Sequence, residues 1–284
     1  MGRDGGAGGV SSPAHGEPLP ARPSSGTAKD CPRVRVEPDC DAAARAACAE
    51  WVESMSGGTR KEPRRALLAG GSTPERLYRL LADAQFVPRD LWRSIECFFG
   101  DERCVPPDHP DSNFGMVRRS LLTPLGDEAP TIHRIRGEDP SPESAADQYE
   151  ALIRARFGAA RGAVPAFDLA LLGVGPDGHT ASLFPGAEPR VRSKRLISPA
   201  LRPADGSPRV TATYRLLNAS RRVLFFVCGA EKEEAVARSL VGLNGAGVGS
   251  GGGPFEPTPA ALIQPESHDV VWVLDRVAAG RLHP

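Results

Sequence analysis

Phe167-Asp168-Leu169-Ala170-Leu171-Leu172-Gly173-Val174-Gly175-Pro176-Asp177-Gly178-His179-Thr180-Ala181-Ser182-Leu183-Phe184-Pro185 opens as an apolar run of strand length and then breaks into glycines. A run of this kind, bounded by glycines, reads as a fully buried strand. The polar turn at the carboxyl end of such a strand is where open α/β sheets place their ligands. That turn presents an Asp and a His two residues apart, Asp177 and His179. Histidine titrates near neutrality and can take and return a proton, so His179 is the first candidate for chemistry.

Two upstream stretches repeat the pattern. Residues 66–69 form a short apolar strand that ends in Gly70-Gly71-Ser72-Thr73-Pro74, after which Leu77, Leu80 and Leu81 give a helical stripe. Ser72 with Glu75 fits a capping box, and Thr73 with Pro74 fits an N-cap and N1 pair. Either start places unpaired backbone N–H groups and a positive dipole end beside two glycines, which suits a phosphate. Residues 95–99 form another strand, ending in Gly100-Asp101-Glu102-Arg103. In a parallel sheet the three loops share one edge, and three converging there mark a site. Plainer roles are a turn and cap for the first loop, a surface Asp101–Arg103 ion pair, and a backbone-bonded helix start for His179.

Around these stretches the pattern predicts helices over 42–54, 113–122, 141–157 and 231–240. It predicts strands over 196–198, 210–213, 222–228 and 269–274, and a helical turn at 259–263. The alternation of strands and helices implies an α/β fold in three layers: one mostly parallel, Rossmann-like sheet with helices on both faces. Residues 1–30 are rich in Gly, Pro and Ser without periodicity and read as a disordered tail, leaving 31–284 as a single domain. Residues 242–254 read as a flexible surface loop.

Composition narrows the function. The 284 residues carry 35 basic and 35 acidic side chains, so net charge makes no case for nucleic acid or an anionic membrane. A substrate anion must be held by a few placed groups. The six cysteines are scattered with no C-x-x-C pair, which suggests neither a zinc site nor a disulfide framework; free thiols in a reducing cytoplasm are expected. No apolar run approaches the ~20 residues of a membrane helix. Arg3 and Asp4 precede glycines rather than an apolar segment, and residue 6 is Gly, so neither a secretory signal nor a myristoylation site is expected.

Two ligand motifs are set aside. Gly173-x-Gly175-x-x-Gly178 matches the dinucleotide fingerprint, but Pro176 and Asp177 occupy the approach of the pyrophosphate. No acidic residue follows ~20 positions on for a ribose. Asp101, His109 and Asp111 are potential metal ligands but lack any specific spacing, and no metal is expected.

With the three loops in view, the chain resembles the 6-phosphogluconolactonase family, within the wider group that includes glucosamine-6-phosphate deaminases. The resemblance spans about residues 33–276. It rests on Ala69 to Pro74, on Gly100-Asp101-Glu102-Arg103-Cys104-Val105-Pro106, on Ser112-Asn113 and on Gly173 to Pro185. It also rests on Arg209-Val210-Thr211 and Gly229-Ala230-Glu231-Lys232. Deaminases typically follow the Asp-Gly-His with Ile-Ala-Phe-Asn-Glu-Pro. Here Thr180-Ala181-Ser182-Leu183-Phe184-Pro185 follows, which is the lactonase form, without the Glu.

The resemblance implies hydrolysis of 6-phospho-D-glucono-1,5-lactone to 6-phosphogluconate in the oxidative pentose phosphate pathway, with no cofactor. It implies His179 as general base, with Asp177 or Asp101 orienting its imidazole or positioning the water, and Arg103 holding substrate or stabilising the oxyanion. The 6-phosphate would sit on Gly71, Ser72 and Thr73 with Arg209 and Lys232 as cationic partners, Lys194 being a weaker candidate. The partner expected is a small sugar-phosphate lactone, in a cytoplasmic monomer or weak homo-oligomer. The alternatives are a glucosamine-6-phosphate deaminase-like isomerase, from which the missing Glu departs, and a non-catalytic sugar-phosphate sensor, against which the intact Asp177-Gly178-His179 stands.

Overall fold

The computed structural model describes residues 31–59, 61–160, 162–186, 194–243 and 256–282. In chain order these form β1 (Arg33–Glu37), α1 (Cys40–Met55), β2 (Arg64–Leu68), α2 (Ser72–Leu81), β3 (Ile95–Phe99), β4 (Asp101–Arg103) and α3 (Asn113–Val117). There follow α4 (Thr123–Leu125), β5 (Thr131–His133), α5 (Pro142–Phe157), β6 (Leu169–Leu172), β7 (Ile197–Leu201) and β8 (Pro208–Ala212). The chain continues through α6 (Tyr214–Leu217), β9 (Val223–Val227), α7 (Glu233–Leu243) and β10 (Val270–Asp275). The expected tail lies outside the described residues.

Seven strands make one parallel sheet in the order β1-β10-β9-β6-β2-β3-β5. Every residue of β3, β6, β9 and β10 is buried, which requires cover on both faces and explains why these strands read as near-continuous apolar runs, interrupted by Glu96 in β3 and closed by Asp275 in β10. Neighbouring β9 and β10 stack Phe225 on Trp272, ring centroids 4.0 Å apart. Helix α1 buries an alanine-rich face, with Trp51 and Met55, on this sheet. From β2 the chain runs outward through β3 to β5; it then resumes at β6 on the other side of β2 and continues through β9 to β10. The order reverses between β2 and β6, which is the point where open α/β sheets form their crevice.

The structure departs from the expectations in four places. A second sheet is present: β4, β8 and β7 form an antiparallel set, entered when the chain leaves β3 at Gly100. Residues 101–103 read as loop because three residues are too few to show a period, and their partners lie in β8. Helix α2 uses neither predicted cap. Gly71, at φ 105, caps it without a side-chain hydrogen bond, so Ser72 and Thr73 are its first two residues and Glu75 turns to pair with Arg79 at 2.7 Å. Helix α7 runs to Leu243, so the predicted 242–254 loop begins as helix; residues 244–254 lie outside the described residues. Finally, not all cysteines are free. Cys40, at the start of α1, and Cys228, just past β9, form a disulfide across 188 residues of sequence, a pairing made by packing and invisible to spacing.

Two tyrosines fasten the carboxyl ends of the central strands. The buried Tyr78 hydroxyl donates to the Ala69 carbonyl at 2.7 Å and accepts from the Ala69 N–H at 3.0 Å. Tyr149 accepts from the Phe99 N–H at 2.7 Å and donates to the His133 carbonyl at 3.0 Å. Burial pushes both hydroxyls well above the usual tyrosine range, so they remain neutral donors. Replacing Tyr78 by Phe strands both backbone groups of Ala69, and is expected to cost roughly 1–3 kcal/mol, read as a lowered urea midpoint at unchanged m.

Candidate active site

The loops after β2, β3, β6 and β9 line one cleft of about 220 Å³ at the carboxyl edge. Its wall includes Ser72, Thr73, Asp101, Arg103, His179, Glu231 and Lys232.

The loop after β6 is a closed turn. The Gly175 N–H donates to the His179 carbonyl at 2.8 Å, and the Gly178 N–H donates to the Gly175 carbonyl at 2.9 Å. A Cβ on residue 175 would stand 2.0 Å from His179 Nδ1, so only glycine leaves room for the imidazole. The ring is therefore placed by backbone geometry as much as by its own rotamer. His179 Nδ1 and Asp177 Oδ1 are 2.5 Å apart, and the same oxygen accepts from the His179 N–H at 3.1 Å. An Nδ1–H directed at the carboxylate leaves Nε2 as the basic nitrogen. Burial pushes the Asp177 carboxyl up, but the His179 N–H and ring outweigh it and hold the group below its ordinary range.

Asp101 does not share that role. Its carboxylate accepts from the Ser182 hydroxyl at 2.7 Å and from Asn113 Nδ2 at 3.2 Å, locking it in the wall between β4 and the segment after His179. Of the two carboxylates left open by the sequence, Asp177 is the one on the imidazole. No Asp101–Arg103 ion pair is present; Arg103 Nη1 donates to the Asp111 carbonyl at 2.6 Å. Glu102 is buried beneath and accepts the N–H groups of Arg103, Asn113 and Phe114 within 2.8 Å. Desolvation still holds its carboxyl above the usual range. Ser112, Asn113, Glu102 and Ser182 are thus site-building residues that the motifs contained but the sequence reading did not assign.

The anion-binding features are distributed. Because Gly71 caps α2 and Pro74 has no N–H, the amides of Gly71, Ser72 and Thr73 are those with no carbonyl to bond within the helix. Lys232 lies in the wall, largely buried; burial lowers its pKa, and the carboxylates of Glu231 and Asp177 oppose that. Arg209 is not part of the wall. It sits on β8 directly opposite Arg103 on β4, and burial together with the Arg103 charge lowers its pKa. Two guanidinium groups so placed repel each other unless an anion lies near both. Lys194 is exposed and outside the wall. Asp101, His109 and Asp111 do not gather as a metal cluster among the described residues.

The chain is similar to known proteins over most of its length. Residues 38–272 match the family model described as glucosamine-6-phosphate isomerases/6-phosphogluconolactonase. The chain is 40% identical over 221 residues to a 6-phosphogluconolactonase of Nostoc sp., covering 76% of this chain and 83% of that protein. It is 37% identical over 215 residues to human 6-phosphogluconolactonase, covering 75% and 78%. A solved 6-phosphogluconolactonase from Trypanosoma cruzi superposes with a TM-score of 0.75 at 28% identity, over 89% of this chain and 97% of that one.

The depressed Asp177 carboxyl has a signed consequence for stability. Its contribution is present above the ordinary carboxylate pKa of about 4 and is lost as pH falls through the lowered value in the folded state. The gap in Tm between wild type and Asp177→Asn should therefore be widest above about pH 4 and narrow at lower pH, in thermal melts across a pH series.

Proposed function

The chain belongs to the glucosamine-6-phosphate isomerase/6-phosphogluconolactonase family, and we propose that it hydrolyses 6-phospho-D-glucono-1,5-lactone to 6-phosphogluconate, the lactonase step of the oxidative pentose phosphate pathway. The observation that carries the reading is the Asp177–His179 pair on a cleft that also receives the start of α2.

The chemistry follows from those groups. A water beside His179 Nε2 attacks the lactone carbonyl while the imidazole takes its proton. Negative charge develops on the carbonyl oxygen, and Arg103 is the cation in the wall able to meet it. Collapse expels the ring oxygen, which recovers the proton from the imidazolium. Asp177 holds the ring in one tautomer between the two transfers. Hydrolysis of this kind asks only for water, a base and oxyanion donors, so the reading includes no metal or organic cofactor.

The 6-phosphate is assigned to the amides and hydroxyls of Gly71, Ser72 and Thr73, with Lys232 as its cation and Arg209 contributing through its field beside Arg103. Residues 31–284 are taken as the catalytic unit, acting in the cytoplasm as a monomer or weak homo-oligomer. A deaminase would need a carboxylate after His179. Instead, Thr180 donates to the Gly173 carbonyl at 2.8 Å and Ser182 to Asp101, both serving the wall.

A coupled lactonase assay, corrected for spontaneous hydrolysis, tests the reading directly; robust ammonia release from glucosamine 6-phosphate in its place would overturn it. His179→Ala should lower kcat at least ~10²-fold while leaving phosphate-ligand affinity near wild type, because a base acts in the transition state. Lys232→Ala should instead raise KM about 10-fold or more with a smaller change in kcat, as expected for loss of a charge-assisted hydrogen bond.

A further inference from the structure

The disulfide lies at the base of the Lys232 turn. Cys40 is the first residue of α1 and is partly exposed; Cys228 is buried and follows the last residue of β9, with their Cα atoms 5.7 Å apart. The next residue, Gly229, turns at φ 108 into the short helical turn Ala230–Lys232. The Gly229 N–H donates to both Asp275 carboxylate oxygens at 3.2 Å, and the Ala278 N–H holds one of them at 2.9 Å. Two restraints therefore act on the two residues before the turn: the covalent bond from Cys228 to α1 and the hydrogen bonds from Gly229 to the end of β10. Upstream, Phe226 and Val227 line the cleft, so the bridge sits between two cleft-lining segments, the end of β9 and the turn that carries Glu231 and Lys232.

We propose that the Cys40–Cys228 bridge is a reversible thiol–disulfide switch that sets how firmly Lys232 is presented to the phosphate of the substrate. The inference rests on the reading of Lys232 as the phosphate cation. A dithiol reductant attacks the accessible Cys40 sulfur, the S–S bond breaks, and the Cys228 sulfur leaves and takes a proton. The second thiol of the reductant then displaces Cys40, which is protonated in turn. Two electrons and two protons pass to the protein, and the reductant is released as its disulfide. Oxidised glutathione runs the exchange backwards.

Asp275 lies within 4.8 Å of both sulfurs, and of the two cysteines Cys40 is the partly exposed one that meets the reagent. Of the other cysteines, Cys31 is exposed and Cys104 partly so, and both are free. Cys48 and Cys97 are buried, and burial pushes the Cys48 thiol up to about 11 and the Cys97 thiol higher. Reduction removes the covalent tie but leaves the Asp275 hydrogen bonds, so the turn loosens without unfolding. The expected signature is a change in affinity with chemistry unaltered, because His179 stands on the loop of a different strand.

The test uses the full chain equilibrated in reduced or oxidised glutathione, then denatured, alkylated and weighed. Six alkylated cysteines are expected in the reduced protein, and four after the single bridge forms (six less the bonded pair). On reduction, KM for the lactone should rise about fivefold or more with kcat within about twofold, and oxidation should restore it. Cys40→Ala should show the reduced-state KM and lose the redox response, whereas Cys104→Ala should keep it. Calorimetric affinity for inorganic phosphate should follow the same pattern, and it reads Lys232 whether or not the lactone is turned over. Absent lactonase activity in both states would reject the functional reading alone. Failure of the bridge to form under oxidising buffer, or equal KM and equal phosphate affinity in two confirmed redox states, would overturn the switch.

Discussion

A single hydroxyl, that of Tyr78, satisfies both backbone groups of Ala69 just past the end of β2, and the end of the cleft formed by the start of α2 depends on it. A parallel strand that stops inside the protein leaves an N–H and a carbonyl with no ladder partner, and burial makes their loss expensive. By closing that account from within α2, the tyrosine lets the chain leave the sheet at Gly70 and begin a helix two residues later. The helix that caps the site is thereby the helix that fixes it. Tyr149 performs the same service for β3 from α5, so Gly100 departs in a fixed direction and carries Asp101 and Arg103 into the second sheet. The cleft is in this sense a set of strand ends held at defined heights.

On that frame the electrostatics are local. The molecule as a whole is neutral, yet Arg103 and Arg209 face each other across β4 and β8, and Lys232 stands in the same cleft as Arg103. Burial lowers the values of both Arg209 and Lys232, and the Arg103 charge adds to the lowering at Arg209. Glu231 pairs with Lys232 at 4.0 Å, while the other carboxylates nearby are bound to neighbours of their own. Asp101 is engaged by Ser182 and Asn113, Asp177 by His179, and Glu102 by three backbone amides. Overall charge was therefore uninformative, because the charges that matter at the cleft are a few placed residues.

What could be read from the sequence follows from range. The runs at residues 95–99, 169–172, 223–227 and 270–274 are buried on both faces, so their apolar continuity was visible without any partner. The turn Gly175–His179 was visible because glycine and histidine are constrained by neighbours within four positions. Asn113 and Ser182 looked like any polar residues, since their value lies in reaching Asp101, twelve and eighty-one residues away. The cap of α2 was misplaced by one residue because a glycine at positive φ competes with a serine hydroxyl on terms that depend on the strand before it. Strand β4 and the Cys40–Cys228 bridge were hidden for the same reason: both are contacts made by the finished fold.

The sheet order carries a consequence for how the molecule is made. Among the described strands β1 pairs with β10 alone, Arg33 lying opposite Val271, so β1 waits for a strand 238 residues further along the chain (271 less 33). On a ribosome adding ~5–20 residues per second, that leaves β1 without its partner for tens of seconds. During this interval its Val34 and Val36, still about half exposed in the finished protein, stand on an open strand edge. Assembly can proceed outward from β2 and β3, whose pairing spans about thirty residues, whereas β1 joins the sheet only once β10 has been made. The charged residues that alternate with those valines, Arg33, Arg35 and Glu37, then act as guards on a nascent chain as well as ornaments of a folded one.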